Sequence, residues 1–489
     1  YKRQALALVN LGKTLRNLER LDEAEKAYRR SLALFVEVED RRREAVVRHN
    51  LGELAYLRDE PDAARAQLEP ALELRRDVGD RRGEASTLSV LADIARYQER
   101  WEDALRALTQ GLALARAIRD PYLQARIQYQ RALMAFDRDD LETALAEVEA
   151  AVELVESVRA RISGDTLRGT YLGTVRDYYE LLVEVLFRLH ARRSDAGFDR
   201  RAFAASERAR ARALLDLLGE APVRLQAELE PELREREEST RQAILAAQQE
   251  LVEAPESASA QDVARLEAAM RAAVNERELF EAEARTRHPS YADLVYPKPM
   301  GVDSTRALLD GETALLEYAL GERGGVLFVV TAGGLETYEV PSRPELEPLV
   351  GEVRQLLERP GRRNTTRLLR SARMLFDAVL APAADKLEKY KRLLVVADGP
   401  LHLVPFEALV ESNEDAAGDF ARALFVVRRW EVATLPSASV LALLERRRAT
   451  GWSVDLVAFG DPDLPSGDGS PAEVRGVFTE LPRRDLGRL

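Results

Sequence analysis

The chain has 489 residues, of which 32% are charged and 46% hydrophobic, and its formal net charge is −12. This composition predicts a soluble protein of about two or three domains, and its acidity argues against direct nucleic-acid binding. The absence of cysteine excludes disulfides, thiolate metal sites and thiol nucleophiles from these residues. Because no apolar run approaches ~20 residues and no signal peptide opens the chain, we expect a cytoplasmic protein without a membrane partner.

Residues 1–160 repeat at a spacing of 40 residues. The columns in register include Leu11-Gly12, Leu51-Gly52 and Leu91-Ala92, then Ala24, Ala64, Ala104 and Ala144, and then Asp40, Asp80 and Asp120. Such a repeat predicts stacked helical hairpins, the first helix ending near Asn17 and the second beginning near Asp22. The small Gly12 and Ala24 predict close approach of the two helices, with Tyr28 filling the space between neighbouring hairpins.

Two local features modify this array. Pro70 falls inside the second helix of the second repeat, where a proline costs ~3 kcal/mol and predicts a kink. Residues 165–217 predict a fifth, longer hairpin with helices near Asp165–His190 and Arg200–Leu218. We therefore assign residues 1–218 to an all-α superhelix of about five hairpins.

Stacked hairpins form a concave surface that is lined mainly by the first helix of each pair. The repeat register predicts the following polar residues on or near that surface: Asn10, Lys13, His49, Asn50 and Gln130. They are candidates for holding a peptide or a protein partner. The alternative is an ordinary solvated face, because exposed polar residues are the default on a helix.

Residues 219–300 predict a charged helical hairpin that links the array to the C-terminal region. Glu, Arg, Gln and Ala dominate from Leu225, and a turn interrupts them at Ala254-Pro255-Glu256-Ser257. Leu251 and Val252 on one arm are predicted to pack against Leu266 and Met270 on the other. The alternating charges are predicted to keep the remaining faces solvated.

Residues 301–489 predict an α/β domain. A meander of strands is expected at Thr313–Leu320, Gly325–Thr331 and Leu335–Val340, followed by helices at Glu345–Leu357 and Thr366–Leu380. The later expected elements are a strand at Leu393–Ala397, an extended run at Phe425–Val432, a helix after Ser437 and a strand at Val454–Phe459. Alternating strands and helices predict a largely parallel, covered sheet.

The loop after the strand at Leu393–Ala397 is a candidate functional loop, since α/β sheets place such loops at the carboxyl ends of their strands. Its residues of interest are Asp398, Gly399, Leu401, His402, Pro405 and Phe406. Pro405 is predicted to start a helix that Phe406 continues.

Several segments match one family in order along the chain. They are LLEYALGERGGVLFVVTAGGLETYEVP, LLVVADGPLHLVPFEAL, VATLPSASVL and LVAFGDPDL, preceded by ASERARARALLDLL at Ala205–Leu218. These segments resemble the N-terminal portion of the CHAT domain, a caspase-like domain, and the repeats resemble tetratricopeptide repeats with a period longer than the usual ~34 residues. The chain thus resembles the TPR-CHAT family. The resemblance implies a fold similar to caspases and separase and a cysteine endopeptidase with a Cys–His dyad.

The catalytic residues of that family have no counterpart in this sequence. The resemblance puts the family's histidine and cysteine after the strand matched by Leu456–Phe459, and no histidine follows His402. Without a thiolate and an imidazole base, acyl transfer has no reactants, so no catalytic residue is assigned. His402 itself matches a structural position of the family and is a weaker catalytic candidate.

Other chemistry has little support. Ser437 and Ser439 precede a predicted helix and are interpreted as its caps. Asp461 and Asp463 lack further ligands at matching spacing, so no metal and no cofactor are predicted. The absence of a glycine-rich Lys-Ser/Thr loop argues against a nucleotide-binding module.

Both ends of the chain bear on the functional hypotheses. Tyr1 lies inside a helical pattern without an initiator Met, and Leu489 precedes the family's catalytic strands. We expect either a sequence that continues beyond Leu489 or a natural non-catalytic relative. The leading hypothesis is a repeat array that senses a protein partner and controls the first half of a caspase-like cysteine peptidase acting on polypeptides. The alternative is a non-enzymatic scaffold in which both parts only bind proteins.

Overall fold

A computed structural model describes residues 1–159, 165–217, 230–253, 259–288, 291–292, 300–358, 364–412, 420 and 422–450. Within these ranges, no helix is long and apolar enough to cross a membrane. The strand expected at Val454–Phe459, and Asp461 and Asp463 after it, lie outside the described residues. Residues 1–445 form one compact unit, and residues 446–489 belong to a second, of which only the end of one helix is described.

The N-terminal part of the array consists of eight helices of nearly equal length. They are α1 (Lys2–Asn17), α2 (Leu21–Glu37), α3 (Arg41–Leu57), α4 (Pro61–Asp77), α5 (Arg81–Tyr97), α6 (Trp101–Ala117), α7 (Pro121–Asp137) and α8 (Leu141–Arg159). Helices α2 to α7 each contain 17 residues, and three-residue links such as 38–40 join them. The long repeat period therefore comes from long helices and not from long loops. Helix α4 continues through Pro70, so the proline does not interrupt it.

Each link between these helices contains one residue in the left-handed region. Positive φ values occur at Glu19, Glu39, Asp59, Gly79, Glu99, Arg119 and Asp139. In the first link the Glu19 N–H donates to the Arg16 carbonyl and the Arg20 N–H donates to the Leu15 carbonyl, which is the Schellman pattern. The aspartate column is explained by N-capping, because the Asp40, Asp80 and Asp120 side chains accept from the N–H groups of Arg43, Gly83 and Leu123.

The small residues of the repeat lie where the helices of a hairpin meet. Ala24, Ala64, Ala104 and Ala144 are all fully buried, as the register predicts. A Cβ atom added at Gly12 would lie 2.4 Å from Cε1 of Tyr28, so any larger residue there would displace the tyrosine. Tyr28 also belongs to one buried cluster with Val47 and Leu51 of the next hairpin. The predicted close approach and the role of Tyr28 are therefore confirmed.

Two longer hairpins follow these eight helices, and the first of them belongs to the array. The first consists of α9 (Asp165–Arg192) and α10 (Phe198–Leu217), and the second of α11 (Pro231–Glu253) and α12 (Ala260–Arg287). In the second hairpin Met270 packs with Ile244 and Ala247, and Leu266 is buried. The side chains of Leu251 and Val252, predicted to join this contact, lie outside the described part of the chain.

The C-terminal region contains strands and shorter helices. The strands are β1 (Thr313–Leu320), β2 (Gly325–Thr331), β3 (Gly334–Val340), β4 (Arg392–Val396), β5 (Val410–Ser412), β6 (Leu424–Phe425) and β7 (Glu431–Thr434). The helices are α13 (Val302–Arg306), α14 (Arg343–Glu358), α15 (Thr365–Val379), α16 (Ala384–Leu387) and α17 (Ala438–Thr450). The main sheet has the order β3-β2-β1-β4-β7, and β5 pairs with β6 in a separate ribbon.

The main sheet is mixed and not largely parallel. Strands β1, β2 and β3 pair antiparallel, whereas β1, β4 and β7 pair parallel. The predicted meander explains the antiparallel half, since its glycine-rich turns are too short for the crossover that a parallel pair needs. The strand at Leu393–Ala397 is covered on both faces as predicted, because neighbouring Val395 and Val396 are both fully buried.

Two local predictions in this region are wrong. The helix predicted from Pro405 is only a 3₁₀ turn at Phe406–Ala408, and the chain is extended again at Leu409. The reason is that Val410 begins β5, whose pairing with β6 requires an extended backbone. The run predicted at Phe425–Val432 is likewise divided by a turn at Val426–Arg428, which carries the chain from β6 to β7.

The repeat array and the sheet share one hydrophobic core. One face of the sheet, including Leu316 and Val395, packs with α14 and α15. The other face, including Phe328 and Val396, belongs to a cluster that extends into α9 and α10. There the Phe203 and Phe328 rings meet edge to face with centroids 5.7 Å apart. The array therefore covers the sheet directly.

Candidate functional site

The predicted partner-binding residues divide into two groups. They lie on α1, α3 and α7, which with α5 form the first-helix face of the array. Asn10 and Lys13 are exposed, whereas His49, Asn50 and Gln130 are only 6%, 5% and 6% exposed. His49, Asn50 and Gln130 lie on helices of the predicted face, but the array encloses their side chains. Of the five predicted residues, Asn10 and Lys13 offer freely accessible polar groups.

Gln130 connects two neighbouring first helices. Its amide nitrogen donates to Asp93 Oδ2 at 2.5 Å and to the Ser89 carbonyl at 3.2 Å, and its oxygen accepts from the Ser89 hydroxyl at 2.7 Å. Burial raises the pKa of Asp93, against the opposing effects of Arg96 and the Gln130 hydrogen bond. Gln130 thus holds α7 against α5.

His49 is the centre of a second buried polar network. Its Nε2 lies 3.3 Å from Glu53 Oε1, and its Nδ1 lies 3.4 Å from the Thr87 hydroxyl. Glu53 also accepts from Arg16 at 2.7 Å. Burial lowers the pKa of His49, which favours the neutral ring. Burial opposes the charge of Glu53, but the contacts with His49 and Arg16 prevail and lower its pKa to about 2.

Several buried donors on this face have no hydrogen-bond partner in the described structure, namely Asn50 Nδ2, Arg96 Nε and Arg126 Nε. Asn50 Nδ2 is buried next to this network without an acceptor. An unpaired buried donor carries a desolvation cost of about 1–3 kcal/mol. The repeat column containing Asn10, Asn50 and Gln130 identified a polar row, but sequence spacing alone could not distinguish a pocket floor from an exposed rim.

Asp137 connects the first-helix face to the sheet domain, and sequence reasoning missed this contact. Asp137 accepts from Arg96 of α5 at 2.5 Å and from Arg323 in the turn between β1 and β2. The Arg323 guanidinium also lies over the Phe136 ring, 5.5 Å from its centroid. Only a weak signal for this contact exists in the sequence. Asp137 is the one acidic residue in a repeat column whose other members are Asn17, Leu57 and Tyr97.

The loop after β4 is fastened to β1 and to the array. Asp398 accepts from the N–H groups of Leu320 at 2.8 Å and Gly399 at 2.9 Å, and it lies 3.4 Å from Arg176 of α9. Gly399 has a φ of +52°, a conformation that favours glycine. Asp398 therefore acts as a brace, since backbone donors occupy both of its oxygens.

The remaining predicted residues of this loop divide into packing residues and an exposed rim. Leu401 and Phe406 are buried, and the Phe406 ring lies 5.7 Å from that of Tyr318. Pro405 and His402 are exposed. Although the side chain reaches solvent, partial desolvation of its ring by neighbouring residues, and then the positive charge of Arg210, lower the pKa of His402, while Asp398 opposes this. The loop presents a histidine beside cations, which is a poor environment for a general base that must accept a proton.

Ser437 and Ser439 both act at the start of α17. The Ser437 hydroxyl accepts from the Val440 N–H at 3.2 Å, which agrees with its predicted capping role. The Ser439 hydroxyl donates to Glu207 Oε2 at 2.7 Å. Among the described residues, no group of three or more His, Asp or Glu side chains is arranged to hold a metal ion.

Residues 3–77 and 58–117 match the tetratricopeptide repeat, and residues 369–484 match the CHAT domain. No curated protein matches the chain. The fold and the first match define a helical-repeat protein whose array is joined to an α/β domain. The repeat match followed by the CHAT match gives the chain the TPR-CHAT arrangement, which confirms the resemblance.

Solved structures give weaker similarities. The apo form of RapI is 14% identical with a TM-score of 0.35, covering 56% of this chain and 97% of that one. Aspartyl phosphate phosphatase F from Bacillus subtilis is 16% identical with a TM-score of 0.35, covering 56% and 72%. A Rap protein complexed with competence and sporulation factor is 17% identical with a TM-score of 0.32, covering 58% and 77%. These TM-scores are too low to establish a shared fold.

Proposed function

We propose that the first-helix face binds a protein or peptide partner and that this binding controls the CHAT domain. The observation that carries the proposal is the direct packing of α9 and α10 on the sheet, with Phe203 against Phe328. Packed cores transmit displacements, so a partner that shifts α9 and α10 would also displace the strands that these helices cover. The charged hairpin of α11 and α12 is not required for this coupling.

The accessible part of the binding surface is formed by Asn10 and Lys13 of α1. An ammonium group favours an acidic or carboxylate-bearing segment of the partner, and an amide can pair with its backbone. His49, Asn50 and Gln130 then act from below the surface by fixing the helices that present these groups.

The controlled activity is proposed to be that of a cytoplasmic cysteine endopeptidase, as the family implies. These residues contain no cysteine, so the dyad is not supplied by them. The competing proposal is a scaffold without catalysis. It is favoured because the side chains of Asp398, Ser437 and Ser439 already make hydrogen bonds within the fold. A coding sequence that continues to a strand ending in His-Gly and a later strand ending in Cys supports the peptidase. A stop codon after Leu489 supports the scaffold.

Binding is tested with a peptide selected from a random displayed library on the full chain. Titration calorimetry then compares wild type with the double variant Asn10→Ala and Lys13→Glu. Lys26→Glu is the matched control, since Lys26 is exposed on α2, outside the first-helix face. We expect the double variant to bind at least about tenfold more weakly, a loss of about 1.4 kcal/mol. Equal affinity of the double variant, or a loss at Lys26→Glu, would remove the partner site from α1.

A further inference from the structure

Two fully buried glutamates meet where α10 of the array lies against the sheet. Glu207 belongs to α10 and Glu317 to β1, and neither exposes any surface. The Ser206 hydroxyl donates to Glu317 Oε1 at 2.5 Å, and Arg210 Nε donates to the same oxygen at 3.3 Å. Buried acids of this kind are costly unless each lone pair and charge is matched.

Arg210 fastens the ends of two parallel strands together. Its Nη1 donates to the Ala397 carbonyl at 2.7 Å, and its Nη2 donates to the Tyr318 carbonyl. Tyr318 belongs to β1, and Ala397 immediately follows β4, one residue before the Asp398 loop. The rigid guanidinium fork of one array residue therefore sets the separation of both strand ends.

Glu207 fastens a third element, the helix α17. Its Oε1 accepts from the Ala438 N–H at 2.9 Å, and its Oε2 accepts from the Ser439 N–H at 3.0 Å and the Ser439 hydroxyl at 2.7 Å. A carboxylate at a helix N-terminus is stabilised by the unpaired N–H groups and the helix dipole. These three donors occupy both carboxylate oxygens of Glu207.

Glu317 is then the member that carries a proton. Its Oε2 is buried, and among the described residues no donor reaches it, which favours a protonated oxygen over an ionised one. Burial, and then the neighbouring Glu207 carboxylate, raise the pKa of Glu317 well above its ordinary range, while Arg210 and Ser206 oppose this. From α17, the groups that face the cluster are the Ala438 and Ser439 amides and the Ser439 hydroxyl.

We propose that Glu207, Arg210 and protonated Glu317 form a latch through which the array positions the loop after β4 and the start of α17. Their contacts join four elements, namely α10, the adjacent strands β1 and β4, and α17, the helix after β7. If α10 were displaced, the hydrogen bonds of Arg210 to the two strand ends or those of Glu207 to α17 would break. The regulatory role of the latch rests on the proposed function, whereas its positioning role does not.

The positioning role is tested by amide hydrogen exchange on the full chain at neutral pH, without any partner. Arg210→Met removes the fork, and Arg208→Met is the control because Arg208 is exposed on the same helix. We expect exchange at residues 399–409 to rise at least about tenfold in Arg210→Met and to stay at the wild-type rate in Arg208→Met. A folded Arg210→Met with wild-type exchange there would overturn the latch. If Arg210→Met does not fold, Arg210→Lys is judged by the same criterion.

The proton is tested separately with Glu317→Gln, which imitates the neutral acid. A raised pKa means that the folded chain holds a proton that the unfolded chain releases, so stability is lost as the pH rises above the ordinary glutamate value of about 4.3. We expect the wild-type Tm to fall relative to that of Glu317→Gln between about pH 5 and pH 8. A constant difference between the two Tm values would overturn the shared proton.

These outcomes are distinct from failure of the proposed function. If no peptide binds but Arg210→Met opens the loop, the latch stands and the partner site is wrong. If peptide binding is normal and Arg210→Met leaves the loop protected, the latch is wrong and the partner site stands.

Discussion

Arg323, in the turn between β1 and β2, donates to Asp137, the last residue of α7, which also accepts from Arg96 of α5. The turn therefore ends on the same first-helix face that carries the proposed partner site. A partner that draws Asp137 or Arg96 toward itself would release Arg323. This contact and the buried interface of α10 are two separate routes from the array to the sheet.

Replacement of Ala64 by leucine is expected to destabilise the array by ~1–3 kcal/mol through overpacking. Ala64 is fully buried, and its carbonyl oxygen would lie 3.1 Å from a Cβ atom at Gly52. The two helices are therefore in close contact and leave no space for a larger side chain. Urea unfolding measures the loss, and Ala63→Leu on the exposed side of α4 is the control. Equal stability of both variants would contradict the assigned packing.

Substitution at the left-handed link residues should have opposite effects at two equivalent positions. Glu39 and Gly79 have φ values of +52° and +66° in corresponding links. Glu39→Gly relieves the strain of a side chain in this region and should stabilise the fold by about 0.5–1 kcal/mol, whereas Gly79→Ala should destabilise it by a similar amount. Thermal unfolding measures both changes. A destabilising Glu39→Gly would mean that its side chain makes a contact that outweighs the strain.

Acid stability should depend on Glu53. Its folded-state pKa of about 2 is below the ordinary glutamate value, so its contribution is present above about pH 4.3 and is lost as the pH falls toward 2. We expect wild type to lose about 2 kcal/mol relative to Glu53→Gln across this interval, allowing for partial exposure. The exposed Glu73→Gln is the control. Parallel pH profiles for wild type and Glu53→Gln would contradict the ion-pair network.

The purified 489-residue chain should be inert toward polypeptides and toward thiol-directed inhibitors. It contains no cysteine to form a thiolate. The hydroxyls of Ser437 and Ser439 make hydrogen bonds with Val440 and Glu207 at the start of α17. Fluorogenic peptide libraries measure the proteolytic activity, and activity-based probes measure the reaction with thiol-directed inhibitors. Proteolysis that disappears in His402→Ala would establish a catalytic chemistry based on His402 and contradict the assignment.

The repeat was predictable from sequence because each of its constraints is local. Ala24 and Gly12 occupy positions where only small residues fit, and this requirement recurs in every hairpin. The meander was predictable for the same reason, since glycine-rich turns join its strands. By contrast, the helix predicted after Pro405 fails because pairing of Val410 with Phe425 is a long-range requirement that local propensity does not contain.

The candidate site was less predictable than the fold. Periodicity identifies the helix face on which Asn50 and Gln130 lie, but their burial depends on how neighbouring hairpins pack. The Glu207–Glu317 pair joins residues 110 positions apart, and each looks like an ordinary charged residue in its own helix or strand. Their common environment arises only when the array covers the sheet.

Binding at the first-helix face is proposed to act on the loop after β4. The most direct test is amide exchange at residues 399–409, measured in the full chain with and without a saturating selected peptide. We expect a change of at least several-fold in wild type, and none in the Asn10→Ala, Lys13→Glu variant. A peptide that binds at α1 with full occupancy and leaves exchange in this loop unchanged would contradict the claim.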